Sequence, residues 1–362
     1  MVDETKLSEY EKQALVEVRK HKKDVLNKSP RRLVSEERSA ALRERGKAVA
    51  DRARSLPGAD AAFSKAQQGY VAAVSGLGKA TINSSKLTLS EGRMLHAYTR
   101  RGHEVNELAD IRSLDLKIVE KHVRPKWMDA AYATTAAIEG GATGFVISGG
   151  EALASAGTVF GAGAGGAPGL GTVTTAMAAD ATFTLIACSR VVAHTAMYYG
   201  YDPLDRGEEL FMMGVLNLGT AGTAGAKMVA YSELSKLAQG LARRAAWAKL
   251  NEQVLPRVAQ AFATRIGLRL TQRKLGTLVP IVGILAGAGL NYRLLDSVAE
   301  AAYWSYRERF ITEKMGGDAV LIVPERTPDS DTSDDDAISV LGILEQERSG
   351  FDTEPAKNGE VV

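Results

Sequence analysis

Between Glu151 and Asp180 the chain runs for 28 residues without a single charge. A stretch of that length has to be taken out of water, and its alanine and glycine content leaves few large side chains to fill a core. Glycines recur at four-residue spacing, at Gly140/Gly144, Gly157/Gly161, Gly161/Gly165 and Gly283/Gly287. On a helix this spacing bares the backbone along one face and lets another helix approach closely. A second uncharged run, Leu275–Tyr292, holds 18 residues and is interrupted by Pro280 and Gly283. It is barely long enough to span a bilayer, so it reads either as a shallow or hairpin insertion or as a helix buried in a large bundle. No run of alternating strands accompanies these segments. The expected fold is all-α: a multi-helix bundle with Gly/Ala-rich central helices, a helical N-terminal extension and a disordered acidic C-terminal tail.

Apolar periodicity places helices over Leu7–Asn27, Ser35–Ser55, Ala59–Ser75, Ser90–Arg101 and Glu104–Val123. Later helices are expected over Ala224–Arg244, Leu250–Arg273 and Asn291–Lys314. Tyr198–Asp205, "YYGYDPLD", reads as a turn, with Gly200 closing one helix and Asp202 and Pro203 opening the next. Three regions follow: a charged helical extension over 1–125, a helical domain over 126–315 and an acidic tail over 316–362. Within the tail, "AISVLGILEQE" (Ala337–Glu347) is an apolar island, suited to a helix that docks on the body or on a partner. Met1–Asp60 lacks an apolar core, so no signal peptide is expected. Cys188 is the one cysteine, which leaves no internal disulfide and no cysteine metal cluster.

Charge is distributed unevenly. The formal net charge is +2, but Gly316–Val362 holds 12 acidic and 3 basic residues, a charge of −9 that leaves +11 on the rest. A basic body with an acidic tail can bind an anionic surface, and the tail can compete for the same site. The basic candidates are Arg265, Arg269 and Arg273 at four-residue spacing, with Arg257 two turns earlier and Lys274 at the end. Val254, Val258, Phe262 and Ile266 fall on another face, making an amphipathic helix with an arginine stripe. Each such cation near an anionic leaflet contributes about 1 kcal/mol. No nucleic-acid reader motif is present.

Other patterns carry less chemistry. Gly161-x-Gly163-x-x-Gly166 has the lettering of a dinucleotide loop but lacks a preceding strand, and Pro168 delays any helix behind it. "HEVNE" at His103–Glu107 places a glutamate where a helical zinc site needs its second histidine. Neither a cofactor nor a metal is expected. Arg190 and His194 share a helix face, and Asp180 stands alone in an apolar helix, where a carboxylate must be paired, hydrated or protonated.

"EGGATGFVISGG" (Glu139–Gly150), Pro168, Asp180, "AMYYGYDPLD" (Ala196–Asp205) and "TLVPIVGILAGAGLNYRLLDSVAEAAYWSYRERF" (Thr277–Phe310), in this order, resemble the EcsC protein family over about residues 127–314. The family-like positions are Glu139, Gly144, Asp180, Tyr199, Gly200, Tyr201, Asp202, Pro280, Gly283 and Asn291. The resemblance implies a helical bacterial protein, cytoplasmic or membrane-associated, of a family named for a gene beside a transporter, with no established activity and no catalytic residues to transfer. The first expectation is therefore a cytoplasmic protein peripheral on the inner face of the cell membrane. It would contact anionic lipid and a membrane-transport or other protein partner, but not nucleic acid. One alternative is a helical enzyme, of hydrolase class, with a polar site from Asp180, His194 or Glu139. The other is a soluble scaffold whose charged ends bind a protein.

Overall fold

A computed structural model of the chain describes residues 4–27, 91–121, 170–242, 254–275, 283–316 and 338–353. Every regular element among them is helical. After a 3-10 turn over Glu4–Lys6, and besides a short helical stretch over 116–121, the helices in chain order are α1 (Glu9–Asn27), α2 (Glu91–Thr99), α3 (Leu108–Ile111), α4 (Leu170–Tyr198), α5 (Arg206–Thr220), α6 (Ala224–Ala242), α7 (Val254–Leu275), α8 (Gly283–Lys314) and α9 (Val340–Thr353). The expected helices over Ser35–Ser55 and Ala59–Ser75 lie outside the described residues, as does the glycine loop Gly161–Gly166. No helix among the described residues is long and apolar enough to cross a membrane.

The centre of the bundle is α8, which packs most extensively on α4 and α5, while α1 lies across α8 and α6. From Thr184 to Tyr201 the side chains of α4 and its exit are buried on nearly all sides, and Arg190 and His194 are the two that reach partly to solvent. A helix apolar all round belongs at the middle of a bundle. Close approach to α8 uses a glycine of α5: a Cβ added at Gly219 would lie 2.6 Å from the Val298 Cα. The Gly219 carbonyl also accepts the Ser297 hydroxyl at 2.9 Å. Neither Gly219 nor Gly214, which faces Leu234, belongs to the spacings singled out in the sequence.

Two local expectations change. The helix expected over Glu104–Val123 breaks into α3 and a further helical stretch over 116–121. Two carboxylates set the two starts: Asp110 accepts the Asn106 and Glu107 amides at 2.8 and 3.0 Å in the first turn of α3, and Asp115 accepts the Lys117 amide at 2.7 Å and caps the stretch that follows. Asp202 does not cap α5 either. Its carboxylate accepts the Leu204 amide at 2.9 Å and holds the turn, while Asp205 accepts the Gly207 and Glu208 amides at 2.7 and 3.4 Å.

Gly200 does close α4. Its φ of +83° is left-handed, and a Cβ there would lie 2.5 Å from the Leu108 carbonyl oxygen. Both conformation and space require glycine. The turn drives the two neighbouring tyrosines inward. Tyr199 stacks on Tyr306 with centroids 6.3 Å apart, and the Tyr201 ring lies 4.0 Å from the Arg309 guanidinium.

Candidate functional site

Two charged constellations stand out, and both are partly or wholly buried. The first is the C-terminal half of α8, Tyr303–Lys314, whose sequence "YWSYRERFITEK" looks solvated but lies inside the bundle. Arg307 donates through Nε to Glu120 Oε1 at 2.5 Å and through Nη1 to Glu17 at 2.8 Å. The hydroxyls of Tyr10 and Tyr303 donate to the same Glu120 carboxylate. Arg309 donates to Glu208 at 2.7 Å and to Glu313 at 2.8 Å, and the Tyr306 hydroxyl completes Glu208 at 2.5 Å. Lys22 pairs with Glu308 at 2.5 Å, and Lys314 reaches Glu11 at 2.5 Å and the Leu114 carbonyl at 2.6 Å. Burial by itself would lower the Arg307 and Arg309 pKa values, but Glu120 and Glu17 around one and Glu208 and Glu313 around the other, with the neighbouring tyrosines, together outweigh it and hold both guanidiniums firmly protonated.

A buried pair contributes little net stability, yet losing one partner costs about 3–5 kcal/mol. This network therefore fixes which helix faces which. It recruits α1 through Glu11, Glu17 and Lys22, so the charged N-terminal region contributes to the same core. Among the described residues, the buried hydroxyls of Tyr199, Tyr201 and Ser305 meet no hydrogen-bond partner.

The second constellation joins α7 to the tail. Residues Val340–Thr353 form a helix seated on α7, so the disorder expected of the acidic tail does not extend to them. The apolar island is the reason: Ile338, Val340, Ile343 and Leu344 are all buried. Burying such side chains favours docking by about 1.5–3 kcal/mol each before ordering costs are met. Polar contacts set the register. The Asn217 amide of α5 donates to the Ile338 carbonyl at 2.6 Å. Glu233 of α6 accepts the Val340 amide at 2.9 Å and the Ser339 hydroxyl, and the Ser339 oxygen accepts the Gly342 amide at 2.9 Å. The α9 N-terminus is thus capped twice, by its own serine and by a carboxylate from the body.

The arginine stripe is not a single exposed face. Arg257 and Arg265 are exposed, and Arg265 donates to Gln346 of α9 at 3.2 Å. Arg269 is buried at 4% exposure and donates to Asn217 and Thr220 at 3.1 and 3.2 Å. It is therefore withdrawn from any surface role, because α5 and α9 cover that turn of α7. The side chains of Arg273 and Lys274 lie outside the described residues. Sequence reasoning missed Asn217 and Glu233. The available signal was two polar residues on otherwise apolar helix faces.

The family-like positions divide. Tyr199 and Tyr201 come together against α8, Gly200 lies against α3, and Asp202 holds the turn. Gly283 opens α8, Asn291 lies within it and Asp180 lies within α4; the side chains of Asp180 and Asn291 are outside the described ones, as are Glu139, Gly144 and Pro280 altogether. The His194 ring tilts against Tyr198 with centroids 4.9 Å apart. Glu139 and the Asp180 side chain, the other two groups of the expected enzyme site, lie outside the described residues.

Fold and sites together define an all-helical bundle built round a charged central helix, with a separate helix latched onto its surface. The EcsC protein family model matches residues 151–311 of this chain, which run from before α4 to the last turn of α8 and include the Tyr-Gly-Tyr turn. A relative from Bacillus subtilis (strain 168), bearing the name "Uncharacterized protein YdbA", is 28% identical over 153 residues, 42% of this chain and 53% of the relative. The chain thus spans about half the length of that relative. No solved structure matches.

Proposed function

We propose that this EcsC-region protein is a peripheral accessory protein that works at an anionic membrane surface, on the cytoplasmic inner face of the cell membrane, with its C-terminal segment as the gate. The observation that carries the reading is the seat of α9 along α7, with Gln346 engaging Arg265 while Arg257 stays exposed. The charge of −9 on 316–362 against +11 on the rest gives the gate its electrostatic sense. Docked, α9 engages Arg265 through Gln346, which is flanked in sequence by Glu345 and Glu347; released, it leaves the α7 cations to lipid headgroups. A membrane-transport or other membrane protein is the partner such an accessory would serve. Arg269 takes no part in this surface.

Vesicle flotation tests the reading. The full chain, a variant ending at Gly316 and the full-length double variant Arg257→Glu/Arg265→Glu are compared on neutral and anionic lipid at low and high salt. Salt-sensitive flotation on anionic lipid is expected, stronger without the tail and lost on charge reversal. Equal flotation of the charge-reversed variant and the natural chain would refute it.

A further inference from the structure

The α9 latch has one feature that packing alone does not call for. Ser339 puts its hydroxyl hydrogen on the Glu233 carboxylate while its oxygen caps Gly342. Glu233 is itself buried at 6% exposure. A serine hydroxyl can make that contact because it donates. Any group that replaces the hydrogen by negative charge turns the same contact into repulsion between two anions in a water-poor site. Ser339 remains partly exposed. In sequence it follows Asp334-Asp335-Asp336, three further negative charges ending two residues before Ile338.

We propose that Ser339 is a modification site, and that phosphorylation of its hydroxyl releases α9 from the groove formed by α5, α6 and α7. The γ-phosphoryl group of a nucleoside triphosphate would pass to the Ser339 oxygen; the hydroxyl proton leaves to a base of the transferring enzyme, and a nucleoside diphosphate departs. The product carries a charge between −1 and −2 near neutral pH and has no hydrogen to give Glu233. Release strips Asn217 of the Ile338 carbonyl and Glu233 of the Val340 amide, so the latch opens as a unit. Helix dipole attraction at an N-terminus favours a phosphate in general. Here it is opposed because Glu233 already occupies that end of the helix. This deepens the tail-gate reading, but its test reads docking and not lipid binding, so either can fail alone.

The experiment is hydrogen exchange on the full-length protein, following the α9 amides of Leu344–Glu347, with the α4 amides of Val191–Ala196 as an internal control. Ser339→Glu should lower protection of α9 by about tenfold or more, the equivalent of at least 1.4 kcal/mol, and leave α4 unchanged. Ser339→Ala, which loses the donor and the Gly342 cap without adding charge, should lower it by roughly three- to fivefold, clearly less than Ser339→Glu does. The double variant Ser339→Glu/Glu233→Gln should regain most of the protection, because glutamine removes the repelling charge and can donate. Undiminished protection in Ser339→Glu overturns the proposal. So does equal loss in Ser339→Ala, or failure of Glu233→Gln to rescue.

Discussion

α7 and α8 both carry arginines among apolar residues, and the two helices use them in opposite ways. On α8, Arg307 and Arg309 lie two residues apart and both point into the bundle, where Glu120, Glu17, Glu208 and Glu313 wait on other elements or on the next turn. On α7, Arg265 and Arg269 lie one turn apart and part company: one reaches the surface, the other is buried on amide and hydroxyl oxygens. Arginine spacing therefore does not separate a binding face from a core. What separates them is the polarity of the helix that happens to lie opposite. The EcsC match sharpens the contrast. Arg309 finds Glu208 within the matched residues, whereas Arg307 is satisfied by Glu17 and Glu120, both outside them. The matched region thus carries one ion pair complete and depends on the N-terminal region for the other.

The largest test of this comparison is Arg307→Ala. Removing one partner leaves Glu120 buried among tyrosines, and a loss of about 3–5 kcal/mol in chemical denaturation is expected. A loss below about 1 kcal/mol would mean that α8 is no more committed to its charges than a surface helix is. Arg269→Ala should cost about 2–3 kcal/mol, since Asn217 and Thr220 lose a charged donor, and it should also loosen α9 through Asn217. Loss of global stability without increased exchange in α9 would uncouple the two ends of that relay.

Glu209 offers a comparison by pH. Burial raises its neighbour Glu208 too, but there Arg309 and the Tyr306 hydroxyl oppose it, whereas at Glu209 burial acts alone and pushes the carboxyl from 4.5 up to about 7. A folded pKa above the unfolded one means that the native state holds the proton longer. This carboxyl therefore costs nothing below about pH 4.5, and stability falls as pH rises from there to about 7. Glu209→Gln should stabilise the protein by about 1–2 kcal/mol at pH 8 and leave it unchanged near pH 4, the full shift being reduced by partial solvent contact. Equal effects at both pH values would show that the carboxyl is not the cause. The smallest effect is expected at Arg265→Ala, within about 0.5 kcal/mol by thermal denaturation, because the contact with Gln346 is exposed. A larger effect would make the α7 surface part of the structural frame and weaken its assignment to lipid.

Several elements were legible from local chemistry. The turn at Gly200 could be read because glycine between aromatic residues at a helix end has few other uses. The island at Ala337–Glu347 could be read because an apolar run in an acidic tail needs a surface to cover it. α6 and α7 were placed within a few residues at each end, since propensity and periodicity act within a turn or two of the chain. The break after Ile111 was harder, because one long helix or two short ones keep the same apolar period.

By itself the sequence determined the helical class, the Tyr-Gly-Tyr turn, the resemblance to EcsC over the central residues and the separation of charge between body and tail. These depend on neighbours in sequence, whose influence is short-ranged and additive. Only the tertiary structure decided that Arg269 is interior, that Glu120 and Glu208 answer Arg307 and Arg309, and that Glu233 grips the start of α9. A buried charge is stable only beside a partner, and the partners here stand 52 to 187 residues away along the chain. Which of many possible carboxylates meets which arginine depends on how helices cross, and crossing is set by the shape of whole helix faces, as where Gly219 meets Val298.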